Sequence, residues 1–250
     1  MRFKDKVALV TGGGRDIGRA VSLRLAAEGA KVVVNYRGDE ASAQETVRRI
    51  QAAGGVALLY RADVTAPEEI AGLVAATARA FGGKIDILVN LAGGMIARKT
   101  LAEMDEAFFD SVMDLNFKSA FLVTKAALPH IPEGGAIINI ASLAGRDGGG
   151  PGASIYAASK GALMTLTRAW AKELGPRGIR VNALCPGLIG TSFHDTFSKP
   201  EGRKATAGNT PLRREGAPEE VAAAVAFLAS DDAAFLAGVN LDINGGLAFS

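Results

Sequence analysis

The sequence holds little that would support disulfide, metal or membrane chemistry. A single cysteine, Cys185, excludes an internal disulfide and a CxxC motif and fits a reducing compartment. The two histidines, His130 and His194, lie outside any ligand-spaced cluster, so we expect no metal site. There is no run of about 18 apolar residues, and the first apolar run is too short for a signal peptide. These absences predict a cytoplasmic protein with no membrane partner.

An excess of charge of one sign is also missing. The chain carries 28 Lys and Arg against 26 Asp and Glu, and a net charge of +2 does not create the one-sided field that nucleic-acid binders use. Hydrophobic residues make up 48% of the 250 residues, enough for a large core, and no linker or repeat divides the chain. We therefore expect one domain over residues 1–250 and no nucleic-acid partner.

Short β-branched runs alternate with amphipathic helical stretches along the whole chain. Most of the runs are continuously apolar, which is typical of strands covered on both faces. The predicted strands are residues 7–10, 32–35, 56–60, 85–90, 136–140, 180–184 and 239–243. Alternating strands and helices with right-handed crossovers predict an α/β fold, a Rossmann-type doubly wound parallel sheet of about seven strands with helices on both faces. We expect Asp39 to cap the second helix and Thr65 the third.

Glycine is abundant, with 31 residues, and the densest cluster follows the first strand in the turn Thr11-Gly-Gly-Gly-Arg-Asp-Ile-Gly18. Glycines at a strand-to-helix turn let the backbone approach a ligand, and the helix that follows offers free N–H groups to a phosphate. The strict GxGxxG spacing is absent. In a barrel of this length the phosphate site tends to come late in the chain, so the early turn favours the open sheet.

The end of the second strand bears on the choice between the two nicotinamide cofactors. NAD sites place a carboxylate there for the ribose hydroxyl, whereas NADP sites offer a basic side chain to the 2′-phosphate. Here the strand ends Val-Asn-Tyr36-Arg37 without a carboxylate, and Arg15 lies in the glycine turn. The sequence therefore favours NADP(H) over NAD(H).

A phenol and an ammonium lie four residues apart in Tyr156-Ala-Ala-Ser-Lys160, which places them on one helix face. A tyrosine with a pKa of ~10 transfers protons poorly at neutral pH, but a neighbouring lysine charge lowers that pKa. The pair is a candidate general acid/base, although the spacing alone occurs in many helices.

Taken in order, the motifs resemble the short-chain dehydrogenase/reductase family over essentially the whole chain. They are the turn at residues 11–18, Asp63-Val64, Asn90-Leu91-Ala92-Gly93, Asn116, Ser142, Tyr156 with Lys160, Pro186-Gly187, and Thr191. In overall character the chain is similar to the 3-oxoacyl-(acyl-carrier-protein) reductases and sugar dehydrogenases of that family. The resemblance implies an oxidoreductase that interconverts a ketone and a secondary alcohol by hydride transfer.

The resemblance also implies roles for single residues. Tyr156 would give a proton to the developing alkoxide, and Ser142 would hydrogen-bond the same oxygen. Lys160 would lower the pKa of Tyr156 and bind the nicotinamide ribose, and the main chain of Asn116 would hold a water that relays protons to the lysine. The residues expected to contact the cofactor are Gly12, Gly14, Arg15, Asp16, Ile17, Gly18, Tyr36, Arg37, Asp63, Val64, Asn90, Ala92, Gly93, Tyr156, Lys160, Pro186, Gly187, Ile189 and Thr191.

Two departures from the family pattern affect the cofactor site. Asp16 stands where the middle glycine of the turn is usual, and a carboxylate there would repel a pyrophosphate. Because Asp16 directly precedes the first helix, we expect its side chain to point away and cap that helix. Leu91 replaces a common second asparagine, which removes one polar group near the cofactor.

Substrate specificity is expected in the loops at 93–99 and 143–155 and in a lid at about 188–214. Charged lid residues and His194 favour a small polar ketone or sugar-type substrate. A carrier-protein substrate is less favoured, because Pro129 stands where a docking arginine is expected. The alternatives are a 3-oxoacyl-(acyl-carrier-protein) reductase, a non-catalytic nucleotide-binding regulator, and a dehydratase or epimerase. The apolar helix that follows Tyr156 and the resemblance together predict a homotetramer, with residues 246–250 packed between protomers.

Overall fold

A computed structural model describes residues 1–249 and shows one seven-stranded parallel sheet in the order β3-β2-β1-β4-β5-β6-β7. The strands are β1 (Val7–Val10), β2 (Lys31–Tyr36), β3 (Val56–Arg61), β4 (Ile87–Asn90), β5 (Ala136–Ile140), β6 (Arg180–Pro186) and β7 (Asn240–Ile243). All seven predicted strands are confirmed, with ends that differ by at most two residues. The strand order reverses between β1 and β4, which is where ligands of such sheets bind.

Helices cover both faces of the sheet, as predicted. They are α1 (Asp16–Ala27), α2 (Glu40–Ala52), α3 (Pro67–Ala80), α4 (Glu106–Met113), α5 (Ser119–Ala127), α6 (Ala144–Asp147), α7 (Ser154–Leu174), α8 (Ser192–Phe197), α9 (Pro200–Asn209) and α10 (Pro218–Ala229). Alternate strand residues bury against opposite layers. On one face, residues such as Val10 and Val34 pack with α1, α2 and α10. On the other, residues such as Leu9 and Val33 pack with α3, α5 and the end of α7.

The two predicted helix caps have different outcomes. The Asp39 carboxylate accepts a hydrogen bond from the Ser42 N–H at 3.1 Å, so that prediction is confirmed. Thr65 is not the cap of α3, because Ala66 occupies that position. The Thr65 N–H and hydroxyl instead donate to the Asp63 carboxylate at 2.9 and 2.7 Å, and this tight local turn delays the helix until Pro67.

Within residues 1–249, no helix combines the length and the apolar character needed to cross a membrane. Nor do these residues bring three or more histidine, cysteine, aspartate or glutamate side chains together as a group that could hold a metal ion. The C-terminal segment expected between protomers ends at Ser250, which lies outside the described residues.

Candidate active site

The glycines of the first turn allow close backbone packing. Gly12 has a left-handed backbone (φ +64°), and its N–H donates to the Asn35 side-chain oxygen at 3.2 Å. A Cβ on Gly18 would lie 2.0 Å from the Gly12 carbonyl oxygen, and one on Gly14 would lie 2.7 Å from the Ala43 Cβ. Gly14 therefore permits the approach of α2, and Gly18 the tight turn itself. No residue larger than glycine fits at these two positions without movement of the backbone.

The start of α1 suits a phosphate group. Arg15 occupies the N-cap position and makes no side-chain capping hydrogen bond. The N–H groups of a helix's first turn lack partners within the helix, so here they are left for a ligand at the carboxyl end of β1. The residues present thus fit the pyrophosphate of a dinucleotide.

Asp16 does not cap α1, contrary to the prediction. It is the first helical residue, its backbone is left-handed (φ +49°), and its carboxylate lies towards α8 rather than towards the amides of its own helix. Its two oxygens accept hydrogen bonds from the Ser192 N–H at 3.1 Å and the Ser192 hydroxyl at 2.5 Å. The Arg15 guanidinium also donates to the Ser192 hydroxyl, at 2.7 Å. The expected repulsion of a pyrophosphate is reduced, because these donors and the Arg15 charge hold the carboxylate.

Arg37 lies at the expected end of β2, next to Asp63. Its guanidinium is 3.7 Å from the Asp63 carboxylate, and its carbonyl oxygen accepts a hydrogen bond from Arg61 at 3.1 Å. Burial acts to raise the pKa of Asp63, but hydrogen bonds from Thr65 and the Arg37 charge outweigh it and lower that pKa. The predicted pair of arginines is not assembled as a pair, because Arg15 reaches α8 whereas Arg37 stays at the β2 edge. Arg61, which sequence reasoning missed, adds a second cation at this edge.

The residues after β4 lie between the glycine turn after β1 and the residues that follow β5. The Thr11 hydroxyl accepts hydrogen bonds from the Leu91 and Ala92 N–H groups at 2.9 and 3.1 Å. The Asn90 amide donates to Thr124 and to Asn139, both at 2.9 Å, so its side chain lies in the core and holds strands and helix together. Its buried side-chain oxygen has no partner among residues 1–249.

Asn116 sits in a π-helical segment, Asp114–Lys118, between α4 and α5. Such single-turn π segments occur often at functional sites. The Asn116 amide exchanges two hydrogen bonds with the backbone of Gly94, at 2.9 and 2.8 Å. It also donates to the Val112 carbonyl at 2.9 Å. The side chain thus fixes the loop after β4.

The three expected catalytic side chains come together at the carboxyl end of β5. Ser142 follows β5, and Tyr156 and Lys160 lie one turn apart on α7. The Lys160 ammonium donates to the Ile140 carbonyl at 2.8 Å and lies 5.9 Å from the centre of the Tyr156 ring. A Cβ on Gly93 would be 3.1 Å from that ammonium, so glycine keeps the space beside it open. The distant parts of the chain meet as the resemblance implies.

Burial sets the protonation of the pair. It raises the pKa of Tyr156, and a hydrogen bond with the Ser142 side chain only partly opposes this. It lowers the pKa of Lys160 from 10.5 to about 8, and an electrostatic interaction with Cys185 opposes this shift. The expectation that Lys160 lowers the pKa of Tyr156 is not confirmed here, because the ammonium is directed at a main-chain carbonyl. At neutral pH the phenol is protonated and the lysine is charged.

Aromatic side chains of α8 form a cluster whose member Phe193 packs beside Tyr156. The ring of Phe193 is 5.8 Å from that of Tyr156, 5.0 Å from that of Phe197 and 5.2 Å from that of His194. We call Phe193, His194 and Phe197 the aromatic wall. Burial, and then the Arg203 charge, lower the pKa of His194, and its ring nitrogen bonds the Ser198 hydroxyl at 2.9 Å. The wall is therefore largely uncharged at neutral pH, and sequence reasoning missed Phe193 and Phe197.

Arg203, one of the cations of the lid, is paired with two carboxylates. Arg203 forms ion pairs with Asp195 and with Glu215. At the far end of α8, Arg98 donates to the carbonyls of Phe197 and Pro151 at 2.7 and 2.8 Å, joining all three specificity loops. Nothing in the sequence indicated this role of Arg98, because both of its partners are backbone carbonyls of distant loops.

The remaining predicted residues lie at or after the carboxyl ends of β1, β2, β3 and β6. Ile189 and Thr191 are buried between β6 and α8, and Val64 is buried near the end of β3. Pro186 ends β6, and a Cβ on the next residue, Gly187, would lie 2.7 Å from the Asn244 Cβ, so this glycine permits the approach of the chain after β7. Ile17 and Tyr36 are half-buried beside the turn.

The chain is similar to known oxidoreductases along nearly all of its length. A family model described as enoyl-(acyl carrier protein) reductase matches residues 12–248. The chain is 42% identical to a 3-oxoacyl-(acyl-carrier-protein) reductase of Synechocystis, covering 97% of this chain and 96% of that protein. It is 41% identical to 3beta-hydroxysteroid dehydrogenase 1 of Eggerthella lenta, covering 98% and 94%. A short-chain dehydrogenase of Burkholderia cenocepacia, solved with NADP, superposes with a TM-score of 0.93 at 36% identity, covering 98% and 99%. With the fold and the site geometry, these similarities show that the chain belongs to the short-chain dehydrogenase/reductase family of oxidoreductases.

Proposed function

We propose that the protein is an NADP(H)-dependent oxidoreductase that interconverts a ketone and a secondary alcohol, with Tyr156 as the general acid/base. One observation carries the proposal: the Tyr156 phenol, the Ser142 hydroxyl and the buried Lys160 meet at the carboxyl end of β5, at the same sheet edge where the start of α1 suits a phosphate group. All three side chains that turnover requires are present, which argues against a non-catalytic nucleotide-binding regulator.

When bound, the cofactor supplies or accepts a hydride at the reacting carbon. In reduction, Tyr156 donates its proton to the oxygen on which charge develops, and Ser142 hydrogen-bonds the same oxygen. Lys160 holds a positive charge beside the phenol and binds the ribose hydroxyls that enter the space left by Gly93. Asn116, fixed to Gly94, keeps the loop after β4 in position and leaves its own main chain to a water that relays protons.

A preference for NADP(H) rests on the arginines at the edge of β2 and β3. Replacing Arg37 by alanine is expected to raise the Kd of NADPH about 10- to 100-fold, because a charge-assisted hydrogen bond contributes about 1.5–3 kcal/mol. The Kd of NADH should change little, since NADH lacks the 2′-phosphate. Titration of both cofactors by their fluorescence measures the two constants. Arg48→Ala, an exposed arginine paired with Glu45 on α2, is the control. An equal loss for both cofactors would contradict the role given to Arg37.

The substrate side favours an apolar or aromatic ketone over the sugar-type substrate expected from the sequence. Phe193 of the aromatic wall packs beside Tyr156, and Asp195 and Glu215 neutralise the Arg203 charge. One similar protein is named for a steroid and another for an acyl thioester, both with large apolar parts. We propose that the wall packs against such a group.

Replacing Phe193 by alanine is expected to lower kcat/KM for an aryl ketone about 10- to 100-fold, because burying this half-buried phenylalanine ring fully against the substrate contributes up to about 1.5–3 kcal/mol. For a small aliphatic ketone the change should stay within about threefold. Phe193→Leu keeps most of the apolar volume and should recover much of the loss. Initial rates on both substrates measure the effect. An equal loss on the two ketones would mean that Phe193 supports the fold rather than the substrate.

The decisive experiment follows NADPH consumption by absorbance across β-ketoesters, acyl thioesters, ketoses, diketones and aryl ketones. Turnover of the aryl or diketone members supports the proposal. Turnover confined to acyl thioesters would favour a 3-oxoacyl-(acyl-carrier-protein) reductase. Tight binding of NADPH without turnover of any member would favour the regulator. The homotetramer stays a prediction, which sedimentation at micromolar concentration tests.

A further inference from the structure

Asp16 pairs an unfavourable backbone with a long-range contact. Among residues 1–249, only Asp5, Asp16, Ile96 and Arg213 have a left-handed backbone without being glycine. A side chain at such a position is strained and persists where the surroundings compensate. At Asp16 the compensation is visible, because both carboxylate oxygens bind Ser192, which is 176 positions away in the chain.

The contact joins the two halves of the active site. Asp16 belongs to the turn that would hold the pyrophosphate, and Ser192 is the first residue of α8. The next residue, Phe193, packs on Tyr156. The Arg15 guanidinium reinforces the contact, since it donates to the Ser192 hydroxyl at 2.7 Å and lies 3.6 Å from the Asp16 carboxylate.

Each end of α8 has its own attachment. Arg98 holds the carbonyl of Phe197 at the end of the helix, and Arg203 binds Asp195 in its middle. At the start, the Ser192 N–H and hydroxyl donate to Asp16, and the same hydroxyl accepts a hydrogen bond from Arg15. Loss of the Asp16 carboxylate would therefore free the start of α8, which carries Phe193, while its end stays fixed.

We infer that Asp16 is a positioning residue that fixes the start of α8 on the glycine turn and so holds Phe193 against Tyr156. A carboxylate takes the place of the usual glycine because the contact with Ser192 compensates for the left-handed backbone. The effect on α8 is independent of turnover, whereas its effect on substrate rests on the function proposed above.

The Asp16→Gly variant separates the effect of residue 16 on cofactor binding from its effect on α8. Asp16→Gly relaxes the left-handed backbone, so NADPH binding should stay within about threefold of the parent protein. It removes both contacts with Ser192, so kcat/KM for a bulky aryl ketone should fall about tenfold or more, since each hydrogen bond to a charged group contributes a factor of that order. Asp16→Asn tolerates the same backbone and keeps an oxygen for the Ser192 N–H, so it should recover part of the loss.

Hydrogen exchange on the full-length protein tests the inference without any substrate. Asp16→Gly and Ser192→Ala should both accelerate exchange of the amides of residues 192–197, the first by about tenfold. The double variant should show little more than Asp16→Gly alone, because the two side chains act through one contact. Asp5→Gly is the matched control, since it makes the same substitution at an exposed left-handed aspartate outside the site.

The outcomes decide between the inference and the proposed function. Faster exchange confined to α8 in Asp16→Gly but not in Asp5→Gly supports the inference, even if no ketone is reduced. Unchanged exchange in α8 overturns it, even if the protein is an active reductase. A loss of NADPH binding in Asp16→Gly equal to the loss in kcat/KM also overturns it, because Asp16 would then act on the cofactor directly.

Discussion

Replacing Tyr156 by phenylalanine is expected to lower kcat for ketone reduction by about 10²- to 10⁴-fold, the range that a positioned general acid contributes. The substitution removes only the hydroxyl that donates the proton. The ring that packs on Phe193 at 5.8 Å stays in place, so KM for an aryl ketone should change by less than about threefold. Steady-state rates at saturating NADPH, with the Kd of NADPH measured separately, give both quantities.

Tyr60→Phe is the matched control for this prediction. Tyr60 is a half-buried tyrosine on β3, outside the group formed by Ser142, Tyr156 and Lys160, and its loss of a hydroxyl should leave kcat unchanged. A Tyr156→Phe protein that keeps more than about a tenth of the parent activity would show that the proton comes from elsewhere. A loss of NADPH affinity as large as the loss of kcat would show that the hydroxyl serves binding.

The fold could be predicted from the sequence because a parallel sheet covered on both faces needs strands apolar at every position. The central strands β1, β4 and β5 illustrate this, since all of their residues are buried. The ends of the strands were harder to predict, because a strand ends where its backbone hydrogen bonding with the neighbouring strands ends. Ile85 is as buried as the strand itself, but its N–H donates to the His130 carbonyl outside the sheet. Apolar character alone does not distinguish the two cases.

The catalytic residues were predictable because their order along the chain resembles a family, and the fold brings Ser142, Tyr156 and Lys160 together. The contacts of the lid were not predictable in this way. The side chain of Asp16 was assigned to the nearest helix, whereas its partner is Ser192, far along the chain. Local rules for capping consider only neighbours in sequence, and the left-handed backbone that directs this carboxylate to α8 is a property of the folded turn.

The electrostatic state of the catalytic pair also needed the structure. Spacing on a helix shows that a lysine is near a tyrosine, which led to the expectation of a lowered tyrosine pKa. It does not show that the lysine is almost fully buried and donates to the carbonyl of Ile140. Burial then becomes the largest influence on both groups, and it raises one pKa and lowers the other.

This burial has a cost for stability, which a Lys160→Met variant should reveal. Folding lowers the pKa of Lys160 from 10.5 to about 8, so between these values the unfolded chain binds more protons than the folded protein. The stability of the parent protein should therefore rise with pH in that window, and below pH 8 the buried charge costs about 3 kcal/mol. Methionine carries no charge at any pH, so its advantage over lysine should shrink by about 2 kcal/mol between pH 7 and pH 9.5.

Urea unfolding of both proteins at the two pH values measures this difference, and the comparison removes every contribution that does not depend on pH. Turnover of Lys160→Met should fall at least about 10²-fold, because the charge beside the phenol is gone. Lys172→Met, on the exposed side of the same helix, should show neither effect. If the difference between Lys160→Met and the parent protein is the same at pH 7 and pH 9.5, the lysine is not buried in its charged form, and the protonation assigned to the catalytic pair is wrong.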